Sequence, residues 1–164
     1  MKGSAATTIA GPIETVWNVV SDPEQALSFM SGVTRWEVEG SERTGLGARY
    51  RMLLRVGSAE VGGLIEIVEW DPPRELAWTS ITGVDQRGRW RLRPAAGGRT
   101  KVEIRLAAGV VGSGVPGWLA ERIAQPIVSS HLRSTVRELA RLVENERLRA
   151  RAAERRAARS AHAG

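Results

Sequence analysis

The segment VSSHLRSTVRELARLV, residues 128–143, decides the fold, because it predicts one long amphipathic helix at the end of a strand-rich chain. Apolar residues at 128, 132, 136, 139 and 143 lie within a narrow arc of one helical face. We expect the helix to run from Gly117 to at least Glu144, with Pro126 kinking it or dividing it in two. A sheet with one dominant helix must bury that helix against its face. The space between helix and sheet is therefore the expected site.

The chain before this helix predicts one strand, two short helices and then six strands. Ala5 to Ala10 alternates as a strand, and helices are expected to follow Gly11-Pro12 and Asp22-Pro23, the second burying Leu27 and Met30. From residue 33 to residue 106 apolar and polar residues alternate with period two between turns rich in glycine and proline. Gly62-Gly63 indicates a bulge or a sharp coil in the sheet. A glycine-rich connection, residues 109–117, leads into the last helix.

Composition bounds the function classes. The 164 residues fit one domain, residues 1–144, followed by a basic Arg/Ala-rich tail, residues 145–164, that is helical or disordered. No cysteine is present and only two histidines, so thiolate chemistry is excluded and a metal site is not expected. No glycine pattern for nucleotide phosphates follows any strand, and no cofactor is expected.

Most of the net charge of +6 lies in the tail, where six arginines face two glutamates. This uneven distribution argues against a folded basic surface that reads nucleic acid specifically. No long apolar run or secretory signal is present, so we expect a cytoplasmic protein that is not an integral membrane protein. The Arg- and Ala-rich composition suggests a GC-rich, bacterial genome. A dimer is compatible with the sequence, which does not determine the oligomeric state.

Six short motifs in order carry a family resemblance. They are Ile9-x-Gly11-Pro12-x-x-x-Val16-Trp17 leading to Ser21-Asp22-Pro23, Val33-x-x-Trp36-Glu37, Gly45-x-Gly47-x-x-Tyr50, Glu69-Trp70-Asp71-Pro72-Pro73-x-x-Leu76-x-Trp78, Gly88-x-Trp90-x-Leu92 and Arg99-Thr100-x-Val102. With these motifs the chain resembles a helix-grip protein of the START-like (SRPBCC) superfamily, in its polyketide cyclase/dehydrase branch. The resemblance covers about Ala5 to Glu144.

The resemblance implies an α+β helix-grip fold of order β-α-α-β6-α, with a curved antiparallel sheet wrapped around the C-terminal helix. It also implies a cavity for a hydrophobic ligand between them, in a superfamily that ranges from polyketide aromatase/cyclases to lipid and hormone carriers. Fold similarity does not choose between these functions.

Large apolar side chains on the inward register are the candidate ligand contacts. Six of the eight aromatic residues are tryptophans, and indole offers a large apolar surface with one N–H donor. Several indoles around a cavity would suit a flat, partly polar, polycyclic or acyl molecule. Simple core packing is the alternative for each of them. The predicted ligand-binding residues are Trp17, Trp36, Tyr50, Met52, Ile67, Trp78, Ser80, Trp90, Val128, His131 and Thr135.

His131 and Tyr50 are the candidate catalytic residues. A cyclase or dehydratase needs a proton-transfer group beside an enolisable carbon and a donor for the developing oxyanion. His131 is the single histidine of the predicted domain and titrates in the suitable range, and Tyr50 could donate to a ligand oxygen. A structural or solvated histidine is the competing interpretation.

Arginines at positions 49, 51, 55, 89, 91 and 93 have outward parity on two strands and predict a solvated outer face. If those strands lie close together, the arginines would form a basic stripe for an acidic partner such as a carrier protein.

Three functions therefore stay open at this point. The first is a cofactor-independent polyketide cyclase or dehydratase, and the second is a non-catalytic carrier or sensor of hydrophobic molecules. The third is a regulatory or toxin-like interaction protein that works through its basic tail.

Overall fold

The computed structural model describes residues 1–109 and 117–162, with side chains at all of these except 117–121 and 123. The elements are β1 Lys2–Ala10, α1 Ile13–Val20, α2 Ala26–Phe29, β2 Val33–Glu39, β3 Arg49–Val56, β4 Ala59–Asp71, β5 Glu75–Ser80, β6 Gln86–Ala95, β7 Arg99–Ala108 and α3 Gly117–His162. This is the predicted order. Most of the predicted glycine-rich connection, residues 110–116, lies outside the described residues.

The seven strands form one antiparallel sheet in the order β1-β7-β6-β5-β4-β3-β2. Strands β2 to β7 follow one another through hairpins, and β1 joins the far edge by pairing with β7. The sheet curls around α3, which packs chiefly against β1. The predicted α+β helix-grip architecture is therefore confirmed.

The inward face of α3 carries the apolar residues that the sequence places within one narrow arc of the helix. Val128, Leu132, Val136, Leu139 and Val143 are each no more than 5% exposed. Burial of such side chains contributes roughly 1.5–3 kcal/mol each. These contacts seat the helix firmly in the sheet.

Glycine lets strand β1 approach this helix closely. A Cβ at Gly3 would lie 2.9 Å from Cδ1 of Leu132, closer than carbon atoms ordinarily approach. The absence of a side chain at this position therefore permits the contact between β1 and α3.

Helix α3 is continuous, contrary to one of the two outcomes predicted for Pro126. It runs as one segment of 46 residues and is not divided at the proline. Alanine, arginine, leucine and glutamate dominate the sequence after Pro126, and these residues favour propagation of the helix. The basic tail is accordingly helical as far as His162.

The second short helix is shorter than predicted because Asp22 forms a turn before it. Oδ1 of Asp22 accepts a hydrogen bond from the Glu24 amide at 2.9 Å, and α2 begins only at Ala26. Leu27 is 53% exposed, so its predicted burial was wrong, whereas Phe29 and Met30 are buried.

The irregularity in β4 lies at Val68, whereas we expected it at the glycine pair. The register of β4 against β5 shifts between Ile67 and Glu69, so Glu69 faces outward and Trp70 turns toward the core. Gly62 pairs regularly with β3, and a Cβ there would lie 2.0 Å from the Met52 carbonyl oxygen. That glycine serves a close backbone approach rather than a bulge.

Candidate functional site

Two small voids lie between the sheet and the helices. The first, which we call the α1 void, adjoins the start of the α1–α2 connection and is lined by side chains that include Asp22, Met30, Trp36, Tyr50, Trp78 and Trp90. The second, the α3 void, is lined by side chains that include Met30, Met52, Trp78, Val128, His131 and Thr135.

Each void has a volume of about 20 Å³, which suffices for one water molecule. Pockets for drug-sized ligands usually measure about 300–1,000 Å³. Neither void could hold a ligand of that size without movement of the side chains that line it.

Met30 and Trp78 line both voids and form the partition between them. Trp78 pairs directly with Gly88 on the neighbouring strand. A Cβ at Gly88 would lie only 1.9 Å from Cζ2 of Trp78, so glycine is what allows the indole to lie against strand β6. The partition thus consists of one flexible thioether side chain and one indole held against the sheet.

Two indole N–H donors are buried at these voids without a hydrogen-bond partner in the described part of the chain. They are Nε1 of Trp36, a residue that lines the α1 void, and Nε1 of Trp78, a residue of the partition. A buried donor left unpaired costs about 1–3 kcal/mol, and such groups in native structures call for a specific explanation. Both donors are suited to a ligand oxygen.

Tyr50 lines the α1 void, but its hydroxyl is already engaged. The hydroxyl donates a hydrogen bond to the Arg43 carbonyl oxygen at 2.8 Å, and the ring stacks on Trp36 with centroids 5.0 Å apart. Burial raises the pKa of Tyr50 above its ordinary value of 10.0. The side chain is thus a neutral group that ties β3 to the loop before it.

His131 lies in the α3 void and contacts the segment that precedes β2. Its Nδ1 and the Ser31 hydroxyl are 3.2 Å apart, and its ring lies close to Gly32, where a Cβ would be 2.7 Å from three ring atoms. Gly32 has φ of +80°, a conformation that favours glycine. The imidazole therefore packs tightly against this loop.

Thr135 completes this connection one helical turn later. Its Oγ1 accepts a hydrogen bond from the Ser31 amide at 2.9 Å. His131 and Thr135 therefore both hold the segment of residues 31 and 32. Their hydrogen bonds explain their presence on a buried helical face without any reaction.

The predicted site residues divide between the voids. Five of them, Trp36, Tyr50, Ile67, Trp78 and Trp90, line the α1 void. Met52, Trp78, Val128, His131 and Thr135 line the α3 void. His131 and Tyr50 lie in different voids, so the structure does not bring the two candidate catalytic residues together around one space.

Trp17 and Ser80 line neither void. Trp17 packs edge-on against Trp70, with ring centroids 5.1 Å apart. The Ser80 hydroxyl accepts a hydrogen bond from the Gln86 amide at 3.1 Å, which closes the turn between β5 and β6. Both side chains are accounted for by these structural contacts, and a ligand-binding role for either remains a prediction.

Met30 and Trp70 are interior residues that sequence reasoning did not place in the site. Met30 follows α2 directly and was expected only to pack in the core, whereas it separates the two voids. Trp70 lines the α1 void because the bulge at Val68 reverses the alternation beyond it. The sequence around the Asp-Pro-Pro turn after Trp70 does not predict this reversal.

A larger groove lies beside the first residues of β1, and both outward side chains of the sheet and Gln125 and Ser129 of α3 line it. It has a volume of about 840 Å³, and its lining includes Arg87, Arg89, Arg91 and Arg105 with Glu69 and Glu103. Arg89 pairs with Glu69 at 2.7 Å, and the hydrogen bond from Arg105 lowers the pKa of Glu103. Apolar side chains, among them Val68, Ala77 and Leu106, share this lining with the charged ones, so the groove differs in character from the two small voids.

The outward arginines do not form the continuous stripe on which the acidic carrier-protein partner was predicted. Strands β4 and β5 separate β3 from β6, so the two groups of arginines are not adjacent. Five of the six arginines also pair with glutamates, as in Arg49–Glu66 at 2.7 Å and Arg91–Glu75 at 3.2 Å. These five arginines therefore carry little unpaired positive charge.

Neither a metal site nor a membrane span is found in the described part of the chain. Those residues contain no cluster of three or more histidine and acidic side chains that could hold a metal ion. None of their helices combines the length and apolar character that a membrane span requires.

Solved structures share this architecture at low sequence identity. The protein TTHA0849 from Thermus thermophilus is 23% identical, with 89% of this chain and 99% of that chain covered and a TM-score of 0.77. The Zhui aromatase/cyclase from Streptomyces sp. R1128 is 17% identical, with coverages of 88% and 93% and a TM-score of 0.74. A START superfamily protein from Mycobacterium smegmatis is 17% identical, with coverages of 88% and 97% and a TM-score of 0.67.

These structures establish the fold alone, because their identities are low. No curated protein matches the chain in sequence. The family model described as polyketide cyclase / dehydrase and lipid transport matches residues 2–144, which is most of the chain. The protein therefore belongs to the polyketide cyclase/dehydrase and lipid transport family.

Proposed function

We propose that the protein binds a hydrophobic small molecule with hydrogen-bond-accepting oxygens between its sheet and α3, without catalysing a reaction. The observation that carries this proposal is the pair of unpartnered indole N–H donors on Trp36 and Trp78, two residues that line mostly apolar voids. A flat polycyclic or acyl molecule would cover the apolar lining, and its oxygens would accept from the indoles.

Binding requires the two voids to merge, because neither holds more than about one water. Met30 and Trp78 separate the voids, so displacement of the Met30 side chain would join the voids along the Trp78 indole. Met30 adopts new rotamers at low cost because methionine is unbranched. We expect the ligand to take the place of the Met30 side chain and to lie against the Trp78 indole.

The engagement of the polar residues favours binding over catalysis. The Tyr50 hydroxyl donates to a backbone carbonyl, and Nδ1 of His131 lies within hydrogen-bonding distance of Ser31. Proton transfer to a ligand would require these contacts to change. A proton-transfer group and the donor that stabilises the oxyanion must also reach the same substrate. Tyr50 and His131 line separate voids.

The experiment is a titration of the full chain with a long-chain fatty acid and with a polycyclic phenol, followed by calorimetry. Trp36→Phe and Trp78→Phe should each weaken binding about two- to tenfold, the worth of one hydrogen bond. Trp17→Phe is the matched control, because Trp17 lines neither void, and it should bind as the unmodified protein does. Equal affinity in all four proteins would contradict the assigned role of the indoles.

A second candidate function, cyclisation or dehydration of a polyketide-like substrate, is favoured by the family and by similarity to the Zhui aromatase/cyclase. The binding proposal predicts that His131→Ala and Tyr50→Phe leave ligand affinity nearly intact and that no turnover occurs. Conversion of a polyketide-like substrate that is lost in His131→Ala would instead favour the enzyme.

A further inference from the structure

The solvent-facing side of α3 carries two arginine triplets in line with each other. The first consists of Arg133, Arg137 and Arg141, and the second of Arg151, Arg155 and Arg159. Within each triplet the spacing is four residues, which places the side chains on one face. The triplets are offset by 18 residues, or five full turns of 3.6 residues, so both lie on the same face. We call these six residues the arginine ridge.

The arginine ridge is exposed throughout and extends beyond the family domain. All six side chains are exposed, and the family match ends at residue 144, between the triplets. At 1.5 Å per residue the ridge is about 39 Å long. Its charge is partly opposed near the middle by Glu138, which pairs with Arg141 at 2.8 Å, and by the exposed Glu144.

The second triplet lies in the last part of α3, residues 149–162, which we call the arm and which packs against almost nothing else. From residue 149 to residue 162 every side chain is exposed except Ala152, which is half-buried. Arg147 fixes the base of this arm by donating to the Ala10 carbonyl oxygen. Like charges four residues apart destabilise a helix, so repulsion within the second triplet lowers the helical stability of the arm. An anionic partner would remove that repulsion.

We propose that the arginine ridge binds the phosphate backbone of nucleic acid without reading its sequence. Guanidinium groups pair bidentately with phosphate and remain charged at all physiological pH values. Within each triplet the arginines repeat every ~6 Å along the helix, close to the ~6.8 Å spanned by two phosphates of one strand, and a gap of about 15 Å separates the triplets. The length of the ridge corresponds to roughly 11 base pairs of duplex.

The composition of this helical face disfavours an acidic protein and an anionic membrane as partners. A stable protein interface needs an apolar centre, and Leu148 is the one large apolar side chain that the arm exposes in its described residues. Helices that lie in a membrane surface insert a broad apolar face, which the described part of this arm lacks. Phosphate contacts alone require neither feature.

The test measures binding of the full chain to a fluorescent DNA duplex longer than the ridge, across a range of salt concentrations. Each phosphate contact contributes about 0.9 to the slope of log affinity against log salt. Arg151→Gln, Arg155→Gln and Arg159→Gln together should therefore reduce the magnitude of that slope by about 3. Glutamine keeps a high helix propensity, and circular dichroism of the variant checks that the helix persists.

A matched control removes three charges elsewhere. Arg87, Arg93 and Arg99 are exposed on the sheet and have no ion pair among the described residues, and their replacement by glutamine should leave the slope nearly unchanged. An equal effect in this control would show that net charge alone acts and would overturn the proposal. Absence of duplex binding, or binding confined to vesicles containing phosphatidylglycerol, would overturn it as well.

Discussion

Replacement of Gly88 by alanine tests the partition that divides the interior. The new Cβ would lie 1.9 Å from Cζ2, 2.2 Å from Cε2 and 2.4 Å from Cη2 of Trp78. The indole is 2% exposed, and the adjoining voids of about 20 Å³ are too small to receive a displaced ring. Such overpacking costs about 1–3 kcal/mol. For a chain of this length, the melting temperature should fall by about 2–12 °C.

The assay is thermal and urea unfolding followed by circular dichroism, with Gly109→Ala as the matched control. A Cβ at Gly109 would meet its nearest neighbour at 3.5 Å, an ordinary contact, so this variant should be as stable as the unmodified protein. Trp78→Phe combined with Gly88→Ala should recover part of the loss, because phenylalanine lacks the second ring. A Gly88→Ala protein with unchanged stability would refute the placement of Trp78.

Three further predictions concern the contacts around the voids. Gly32→Ala should destabilise the fold by about 2 kcal/mol or more, because a Cβ would strain the positive φ and meet the His131 ring. Thr135→Val should cost about 1–3 kcal/mol, because the Ser31 amide loses its acceptor. The single tyrosine, Tyr50, should titrate above pH 10.0 in the folded protein, followed by tyrosinate absorbance, and stability should decline as pH rises through that folded-state value.

Each of these predictions has its own control. Gly40→Ala also strains a positive φ but meets no atom within 4 Å, so Gly32→Ala must cost more if the imidazole contact is real. Thr135→Ser keeps the acceptor and should preserve most of the stability that Thr135→Val loses. Stability declines with rising pH because the pKa of Tyr50 is higher in the folded state than in the unfolded one. The folded state therefore holds the proton more tightly than the unfolded state does. Titration of Tyr50 at its ordinary pKa would contradict its burial.

The fold was largely predictable because its signals are periodic. Alternation along β3, β6 and β7 and the 128–143 stripe specify which face of each element is buried, and the structure agrees. The exceptions are local. The bulge at Val68 and the turn around Asp22 depend on pairing and hydrogen bonding that the spacing of apolar residues does not record.

The site was less predictable because its properties depend on contacts between distant segments. The sequence placed Trp78 on the inward register, but its position over Gly88 and its unpartnered N–H require the paired strand. His131 and Thr135 were expected as pocket groups, whereas their hydrogen bonds to Ser31 arise from a contact across about a hundred residues of chain. Whether any of these residues touches a ligand remains a prediction.

Native mass spectrometry of the full-length protein purified from its own host tests the central claim most directly. The account predicts a retained hydrophobic small molecule that dissociates on activation, with reduced occupancy in Trp78→Phe and normal occupancy in Trp17→Phe. A protein that shows only its own mass, and that takes up neither a long-chain fatty acid nor a polycyclic phenol when these are added, would contradict the claim.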